Sequence, residues 1–204
     1  MANPNRPSGF TPWQYLNGSP WNGQARTYSI AAAYGTALYI GDPVISSGSS
    51  DANGVAGIAI GATTGALRGV IVGLGTSEML SVNPDNLNRI YRPASDPAVW
   101  YAKVVDDPNV IFTIQEHGAA GATQLAATEV GLNQIGYSGT AGNGYLSGWQ
   151  LANATDATPN TTATLQLRLL GLLRVSNNAF GAYAKWLVQI NVHELAHGTG
   201  AAGV

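Results

Sequence analysis

Residues 100–115 constrain the fold more than any other stretch of this 204-residue chain. Two runs rich in β-branched and aromatic residues, 100–105 and 110–115, flank the sequence Asp-Asp-Pro-Asn. These residue types favour a turn, because Asp and Asn hydrogen-bond to the nearby backbone and Pro presets φ. The pattern therefore predicts a β-hairpin with its turn at 106–109. Apolar side chains occur on both faces of each arm, which predicts an interior position in a sheet for both strands.

Similar strand-like runs recur along the chain between Gly, Asn and Pro residues. The main ones cover residues 26–34, 36–44, 55–60, 67–74, 162–169 and 183–193. The run 162–169 alternates most regularly and predicts a half-buried strand with Gln166 facing outward. Residues 46–54 are polar and predict a loop. About ten short strands separated by Gly, Asn and Pro residues predict an all-β fold, either a β-sandwich or a β-barrel.

The N-terminal segment has a different character. Residues 1–24 contain four Pro residues, which excludes a helix and predicts an extended arm, while residues 25–204 are predicted to form a β-rich domain. The arm carries Trp13, Tyr15 and Trp21. An irregular segment cannot bury such rings alone, so they are expected to pack on their own domain or on a neighbouring subunit. Because rigid aromatic anchors are favoured at interfaces, these three residues are the candidate interface residues.

The low charge content limits what the protein can bind. Asp, Glu, Lys and Arg make up 10% of the chain, against about 25% in ordinary soluble domains. Either the abundant Ser, Thr, Asn and Gly residues keep the surface soluble, or contacts with other subunits cover much of it, since interface cores are depleted in Lys, Asp and Glu. The formal net charge of -2 argues against direct binding to nucleic acid or to an anionic membrane.

Several common sequence signals are missing. The chain contains no Cys, which fits assembly in a reducing cytoplasm. Its first residues lack the apolar run of a signal peptide, and no window approaches the roughly 20 apolar residues of a transmembrane helix. No phosphate-binding loop, dinucleotide fingerprint or serine nucleophile motif occurs. We therefore expect no cofactor and no membrane association.

Residues 193–197 match the zinc-protease pattern H-E-x-x-H. On a helix, His193 and His197 could share a zinc ion, and Glu194 could act as general base. The preceding residues alternate with period two, however, so His193 is expected to end a strand, and the imidazoles would then lie about 13 Å apart. We therefore expect no metal site, and we expect both His side chains and Glu194 to be solvated or at a subunit contact. A zinc peptidase built on these three residues is the less favoured alternative.

Two acidic sequences also resemble functional motifs. Asp106 and Asp107 could form a catalytic carboxylate pair, but a turn explains both residues. The sequence Asp51-Ala-Asn53-Gly54 is a fragment of a calcium-binding loop without the distal Glu, so a turn is again the better interpretation. The sequence therefore predicts no catalytic residue.

Four short sequences and their order carry a family resemblance. They are Asn-Gly-Ser-Pro-Trp-Asn-Gly at 17–23, Leu-Tyr-Ile-Gly-Asp-Pro-Val at 38–44, Arg-Gly-Val-Ile-Val-Gly at 68–73, and Ile-Asn-Val-His at 190–193 before a Gly/Ala-rich tail. With the low charge and the absence of Cys, the chain resembles the capsid decoration, or cement, proteins of tailed bacteriophages. The resemblance implies a β-rich subunit, often a homotrimer, that binds the major capsid protein on the virion exterior and has no catalytic residue.

The resemblance also implies a mechanism. A trimer that contacts several capsid subunits would dissociate slowly, because its contacts are multivalent, and preference for the mature lattice would stabilise that lattice by mass action. Deleting residues 1–24 is expected to abolish shell binding and to leave a soluble fold. A tail or neck structural protein is the alternative within the same virion, and it predicts rings or tubes in place of trimers.

Overall fold

Short β-strands form nearly all of the regular structure in the computed structural model, which describes residues 3–76, 90–139, 145–196 and 200–203. The strands are β1 (Thr11–Tyr15), β2 (Arg26–Ile30), β3 (Leu38–Tyr39), β4 (Pro43–Ser50), β5 (Ala56–Ile60), β6 (Gly69–Gly75), β7 (Tyr91–Arg92), β8 (Trp100–Val105), β9 (Val110–Gln115), β10 (Asn133–Gln134), β11 (Gly136–Ser138), β12 (Trp149–Leu151), β13 (Leu167–Leu172) and β14 (Lys185–Ile190). A single 3₁₀ turn, Ala127–Glu129, is the helical element of the described ranges. The predicted all-β fold is confirmed, although several strands of two or three residues raise the count above ten.

Two larger assemblies of strands make up the architecture. Five strands form a sheet in the order β1-β9-β14-β13-β10, and five others close into a barrel in the order β2-β5-β4-β6-β8. Neighbouring strands are antiparallel, except for a short parallel contact between β2 and β5 at Ser29 and Gly57. Two small sheets, β3-β7 and β11-β12, complete the topology.

The predicted hairpin at 100–115 is wrong, although its two strands and its turn are present. Strand β8 lies in the barrel between β6 and β2, whereas β9 lies in the sheet between β1 and β14. Asp107 forms the turn: its side-chain Oδ1 accepts from the N–H of Asn109 at 2.8 Å, and its carbonyl accepts from the N–H of Val110 at 3.1 Å. Both strands do occupy interior positions, as predicted. Two strands joined by a turn show the same alternation of side chains whether they pair as a hairpin or enter two different sheets. The sequence pattern therefore could not distinguish a hairpin from a corner.

The corner explains why both faces of these strands are apolar. In β6 and β8, Ile71 and Val104 point into the barrel, whereas their neighbours Val70 and Val105 pack against the five-stranded sheet. All four side chains are buried. One face of each strand therefore lines the barrel, and the other contributes to the larger core between the barrel and the sheet.

That larger core contains about half of the buried apolar side chains in the described ranges. Its members come from β6, β8, β9, β12, β13, β14 and the connecting segments: Phe10, Leu67, Val70, Val105, Val110, Phe112, Ile114, Leu125, Trp149, Leu151, Leu167, Leu169, Ala184, Trp186, Val188 and Ile190. In β14, the side chains of Trp186, Val188 and Ile190 share one face and are all buried. Phe10 shows that the N-terminal segment also contributes to this core.

Two other sequence predictions need correction. Strand β4 continues to Ser50, so most of the predicted loop at 46–54 is strand. Strand β13 begins only at Leu167, and Gln166, predicted to face outward, is 1% exposed. Its Nε2 donates to the carbonyl oxygens of Ala62 at 2.8 Å and Gly65 at 3.0 Å. A buried amide is favourable here because it satisfies two loop carbonyls.

A fully buried arginine joins the loops around the small sheet β3-β7. The Arg92 side chain is 0% exposed. Its guanidinium donates to the carbonyl oxygens of Pro93 at 2.8 Å, Tyr34 at 2.9 Å, Ala31 at 3.2 Å and Asp96 at 3.3 Å. Burial lowers the pKa of Arg92 from its ordinary value. Carbonyl dipoles therefore replace water around this charge and fix two loops at one end of the barrel.

In sequence, the barrel strands lie between two neighbouring strands of the five-stranded sheet. Strands β1 and β9 pair directly, with Tyr15 opposite Val110 and Thr11 opposite Thr113. The five barrel strands all lie between these two sheet neighbours in sequence. The N-terminal segment therefore supplies the edge strand of a sheet whose other members follow the barrel.

Candidate functional site

The three predicted interface residues lie in or just after β1, and they differ in exposure. Tyr15 and Trp21 are partly buried and pack against the larger core. The Tyr15 hydroxyl donates to Asn22 Oδ1 at 2.7 Å, and the Trp21 indole N–H donates to the Gln24 carbonyl at 3.3 Å. Trp13, in contrast, is 46% exposed. The N-terminal segment thus folds back on its own subunit, one of the two alternatives left by the sequence, and Trp13 alone of the three is about half exposed.

A β-bulge sets the position of Trp13. In the pairing of β1 with β9, Pro12 is opposite Phe112 and Gln14 is opposite Ile111, so Trp13 is the extra residue between them. Its carbonyl accepts a hydrogen bond from the backbone N–H of Trp21 at 3.3 Å. Bulges bend an edge strand and redirect the side chain of the extra residue. The backbone of Trp13 is therefore held by its own bond to Trp21 and by the pairing of Pro12 and Gln14 with β9, while its side chain faces outward.

Trp13 lines a shallow groove of about 250 Å³ on the outer side of the sheet. We call this surface the Trp13 groove, and its main lining residues are Arg6, Thr11, Trp13, Thr113, Leu173 and Lys185. A second depression of similar size, lined by Pro4, Val175, Tyr183 and others, shares Lys185 with it. The two depressions are therefore neighbours, and apolar and cationic side chains line them both.

The arm residues of the groove are held by a buried glutamine. Gln115, 4% exposed, donates from Nε2 to the Pro4 carbonyl at 2.7 Å, and its Oε1 accepts from the Arg6 N–H at 3.0 Å. This double contact fixes the backbone of Arg6 beside the sheet. The groove is therefore preorganised on its arm side as well as on its β1 side.

The zinc-protease pattern begins in a buried turn. His193 follows the last strand by three residues, is 1% exposed, and is bridged to Leu67. Its Nδ1 accepts the N–H of Leu195 at 3.0 Å, and residues 194–196 form a turn. Burial lowers the pKa of His193 from its ordinary value. The expectation that His193 is solvated is wrong, because the barrel covers it; His197 lies outside the described residues.

Glu194 connects the end of β14 to the barrel. Its Oε2 accepts the Ser46 hydroxyl at 2.5 Å, and its Oε1 accepts the Ser46 N–H at 2.9 Å. Arg68 Nε lies 3.4 Å from Oε2. Both carboxylate oxygens therefore have partners within the subunit, and the Glu194 side chain keeps 22% exposure. Among the residues that the structure describes, no three His, Cys, Asp or Glu side chains are grouped so that they could hold a metal ion.

The acidic residues of the 106–109 turn border a cleft of about 800 Å³, which we call the large cleft. Asp106 Oδ2 accepts the Tyr28 hydroxyl at 2.6 Å and lies 3.3 Å from Arg26 Nη1. Burial and, next, the bond to Asp106 raise the pKa of Tyr28 to about 12. Asp106 thus fixes the corner between barrel and sheet, while Asp107 forms the turn described above.

The fragment that resembles a calcium loop also forms a turn. Asp51 Oδ1 accepts the N–H groups of Asn53 at 3.0 Å and Val55 at 2.7 Å, and Oδ2 accepts the Tyr101 hydroxyl at 2.7 Å. That bond to Tyr101, above all, lowers the pKa of Asp51. The turn interpretation is confirmed.

A further polar cluster lies at the end of β9 and was not predicted. Glu116 is 0% exposed and accepts the Leu125 N–H at 2.6 Å and the Trp186 indole N–H at 2.9 Å. Burial raises its pKa to about 7. The adjacent His117 places Nδ1 2.7 Å from Asp156 Oδ2. This cluster joins β9, β14 and two loops. The only sequence signal for it was Glu116, an acidic residue directly after a strongly apolar strand.

Comparisons with known proteins give no relative: no family model, curated protein or solved structure matches the chain. No helix in the described ranges has the length and apolar character of a membrane span.

The sequence made Trp13 a candidate interface residue but did not point to the cationic residues beside it. Arg6 and Lys185 are far apart in sequence, and the pairing of β1, β9 and β14 brings them to one groove. The sequence offered only a weak signal for these two residues, since each is a single cation within an uncharged stretch.

Proposed function

We propose that this protein is a non-enzymatic capsid decoration protein of a tailed bacteriophage, which binds the major capsid protein on the outer surface of the head. The observation that carries the proposal is the Trp13 groove, where a half-exposed indole is fixed on a bulged edge strand. Its support from the sequence is the 10% content of charged residues and the family resemblance given above.

The groove has the properties of an interface anchor. Tryptophan and arginine are enriched among the residues that dominate binding energy, and such residues bind best when they are already ordered. Here Trp13 is held by β9 and Trp21, and Arg6 is held by Gln115. Repeated in a homotrimer, three such anchors would hold one particle to several capsid subunits, and the multivalent contact would slow dissociation.

The fold changes the experiment that the sequence suggested. Deleting residues 1–24 would remove Phe10 from the core and β1 from the sheet. A loss of binding could then result from a disrupted fold and could not be assigned to the interface residues. The better perturbation is Trp13→Ala, with Leu195→Ala as control, because Leu195 is 41% exposed but lines the large cleft.

The assay is occupancy on purified capsids that lack this chain, measured by cosedimentation and electron microscopy. Trp13→Ala should weaken binding at least tenfold, as expected for an aromatic anchor, while Leu195→Ala stays within about twofold of wild type. Wild-type protein that does not bind capsids, but assembles into rings or tubes, would refute the proposal and support the tail or neck alternative. Stoichiometric zinc in the purified protein, lost on His197→Ala, would support the peptidase alternative.

A further inference from the structure

The charges around Trp13 have one sign. Arg6 and Lys185 line the groove, and Arg174 is exposed between Leu173 and Val175, which line the two neighbouring depressions. No Asp or Glu lines either depression. The chain as a whole has a net charge of -2, so this cationic face contrasts with the rest of the molecule.

These cations have no counterion in the described part of the subunit. The ion pairs there engage Arg26, Arg68 and His117, and none involves Arg6, Arg174 or Lys185. The indole N–H of Trp13 likewise has no acceptor among the described residues, whereas the indole of Trp21 donates to Gln24. The unpaired charges of this surface are therefore all positive, and they lie beside the neutral polar side chains of Ser8, Ser176 and Asn177.

A surface with unused donors, cations and an exposed indole is complementary to a carboxylate-rich protein surface. Carboxylates accept from Arg and Lys in short, charge-assisted hydrogen bonds, and a protein surface also offers apolar side chains to pack on the indole. We propose that the Trp13 groove binds an acidic patch on the partner protein, with Trp13 as the apolar anchor and Arg6 and Lys185 as the pairing cations. This inference rests on the proposed function in one respect, because the proposed function identifies the partner as the outer surface of the major capsid protein.

The first test uses poly-L-glutamate, a defined acidic polypeptide that is independent of any capsid. The full-length protein should bind it at low salt, and raising the salt from 50 to 500 mM should weaken binding at least tenfold, because salt screens exposed charges. Lys185→Glu should weaken binding at least tenfold. Lys103→Glu is the matched control, since it makes the same charge change at a lysine that lines the large cleft and donates to Thr27; its binding should stay within about twofold.

The second test repeats the comparison on capsids that lack this chain. Greater loss for Lys185→Glu than for Lys103→Glu, with salt sensitivity in the wild type, supports the inference. Equal loss for the two variants on poly-L-glutamate, or no salt dependence, overturns it. Preference for heparin or single-stranded DNA over poly-L-glutamate would also overturn it, by showing that the partner is a different polyanion. Binding to poly-L-glutamate through Lys185 without binding to capsids would refute the proposed function alone.

Discussion

Replacing Arg92 by Met should strongly destabilise the protein, and the structure allows the loss to be estimated. The guanidinium is fully buried, and two of its hydrogen bonds are short, to the Pro93 carbonyl at 2.8 Å and the Tyr34 carbonyl at 2.9 Å. A buried carbonyl left without a donor costs about 1–3 kcal/mol, so these two bonds alone contribute about 2–6 kcal/mol. The longer contacts add to the loss, and relief of the buried charge offsets part of it. We expect Arg92→Met to lower the free energy of unfolding by about 3–5 kcal/mol.

The measurement is urea unfolding followed by tryptophan fluorescence, with thermal unfolding as a second readout. For a chain of this size, a loss of 3–5 kcal/mol corresponds to a Tm lower by roughly 6–20 °C. Arg174→Met is the matched control, because Arg174 is exposed and its replacement should change stability by no more than about 0.5 kcal/mol. Arg92→Lys should be intermediate, since it keeps the charge with fewer donors. A loss below about 1 kcal/mol for Arg92→Met, at an unchanged denaturant slope, would show that the carbonyl contacts do not stabilise the loops.

Two further predictions test the cores. Burial raises the pKa of Glu116 to about 7 from a model-compound value of 4.5, so its stabilising contribution is complete below pH 4.5 and is lost as the pH rises through 7. Between pH 4.5 and 7 the free energy of unfolding of the wild type should fall by about 3 kcal/mol relative to that of Glu116→Gln. Urea unfolding at each pH measures this difference, and parallel pH profiles of the two proteins would contradict it. A Cβ at Gly69 would overlap the carbonyl oxygen of Val105, whereas a Cβ at Gly73 would lie 3.5 Å from Lys103 Cβ, an ordinary contact. Gly69→Ala should therefore lower the Tm by several degrees more than Gly73→Ala, and equal Tm values for the two variants would refute this packing argument.

Local pattern predicted the strands well, because alternation and turn residues act over a few positions. The strands at 100–105, 110–115 and 185–190, and the buried face of the last one, follow directly from period-two alternation. Strand pairing was not predictable in the same way. Alternation shows which face is buried but carries no information about the neighbouring strand, so the corner at 106–109 looked like a hairpin turn.

Buried polar residues were missed because their partners are distant in sequence. Gln166 binds carbonyl oxygens more than 100 residues away, and Ser46 binds Glu194 across 148 positions. The candidate site shows the same limit. Trp13 could be named as a candidate by residue type, but its exposure depends on a bulge against β9, and its cationic neighbours come together only in the folded sheet.

The pairing of β1 with β9 makes the barrel topologically an insertion. Tyr15 lies opposite Val110, and the N–H of Leu16 donates to the Asn109 carbonyl at 2.8 Å, so a tight turn joining these positions would leave an ordinary hairpin at the edge of the sheet. A different module could occupy the same place between the two strands. Any replacement would have to provide apolar cover equivalent to Val70 and Val105, because these barrel residues seal the inner face of the sheet. The outer surface around Trp13 could then be kept while the inserted module changed.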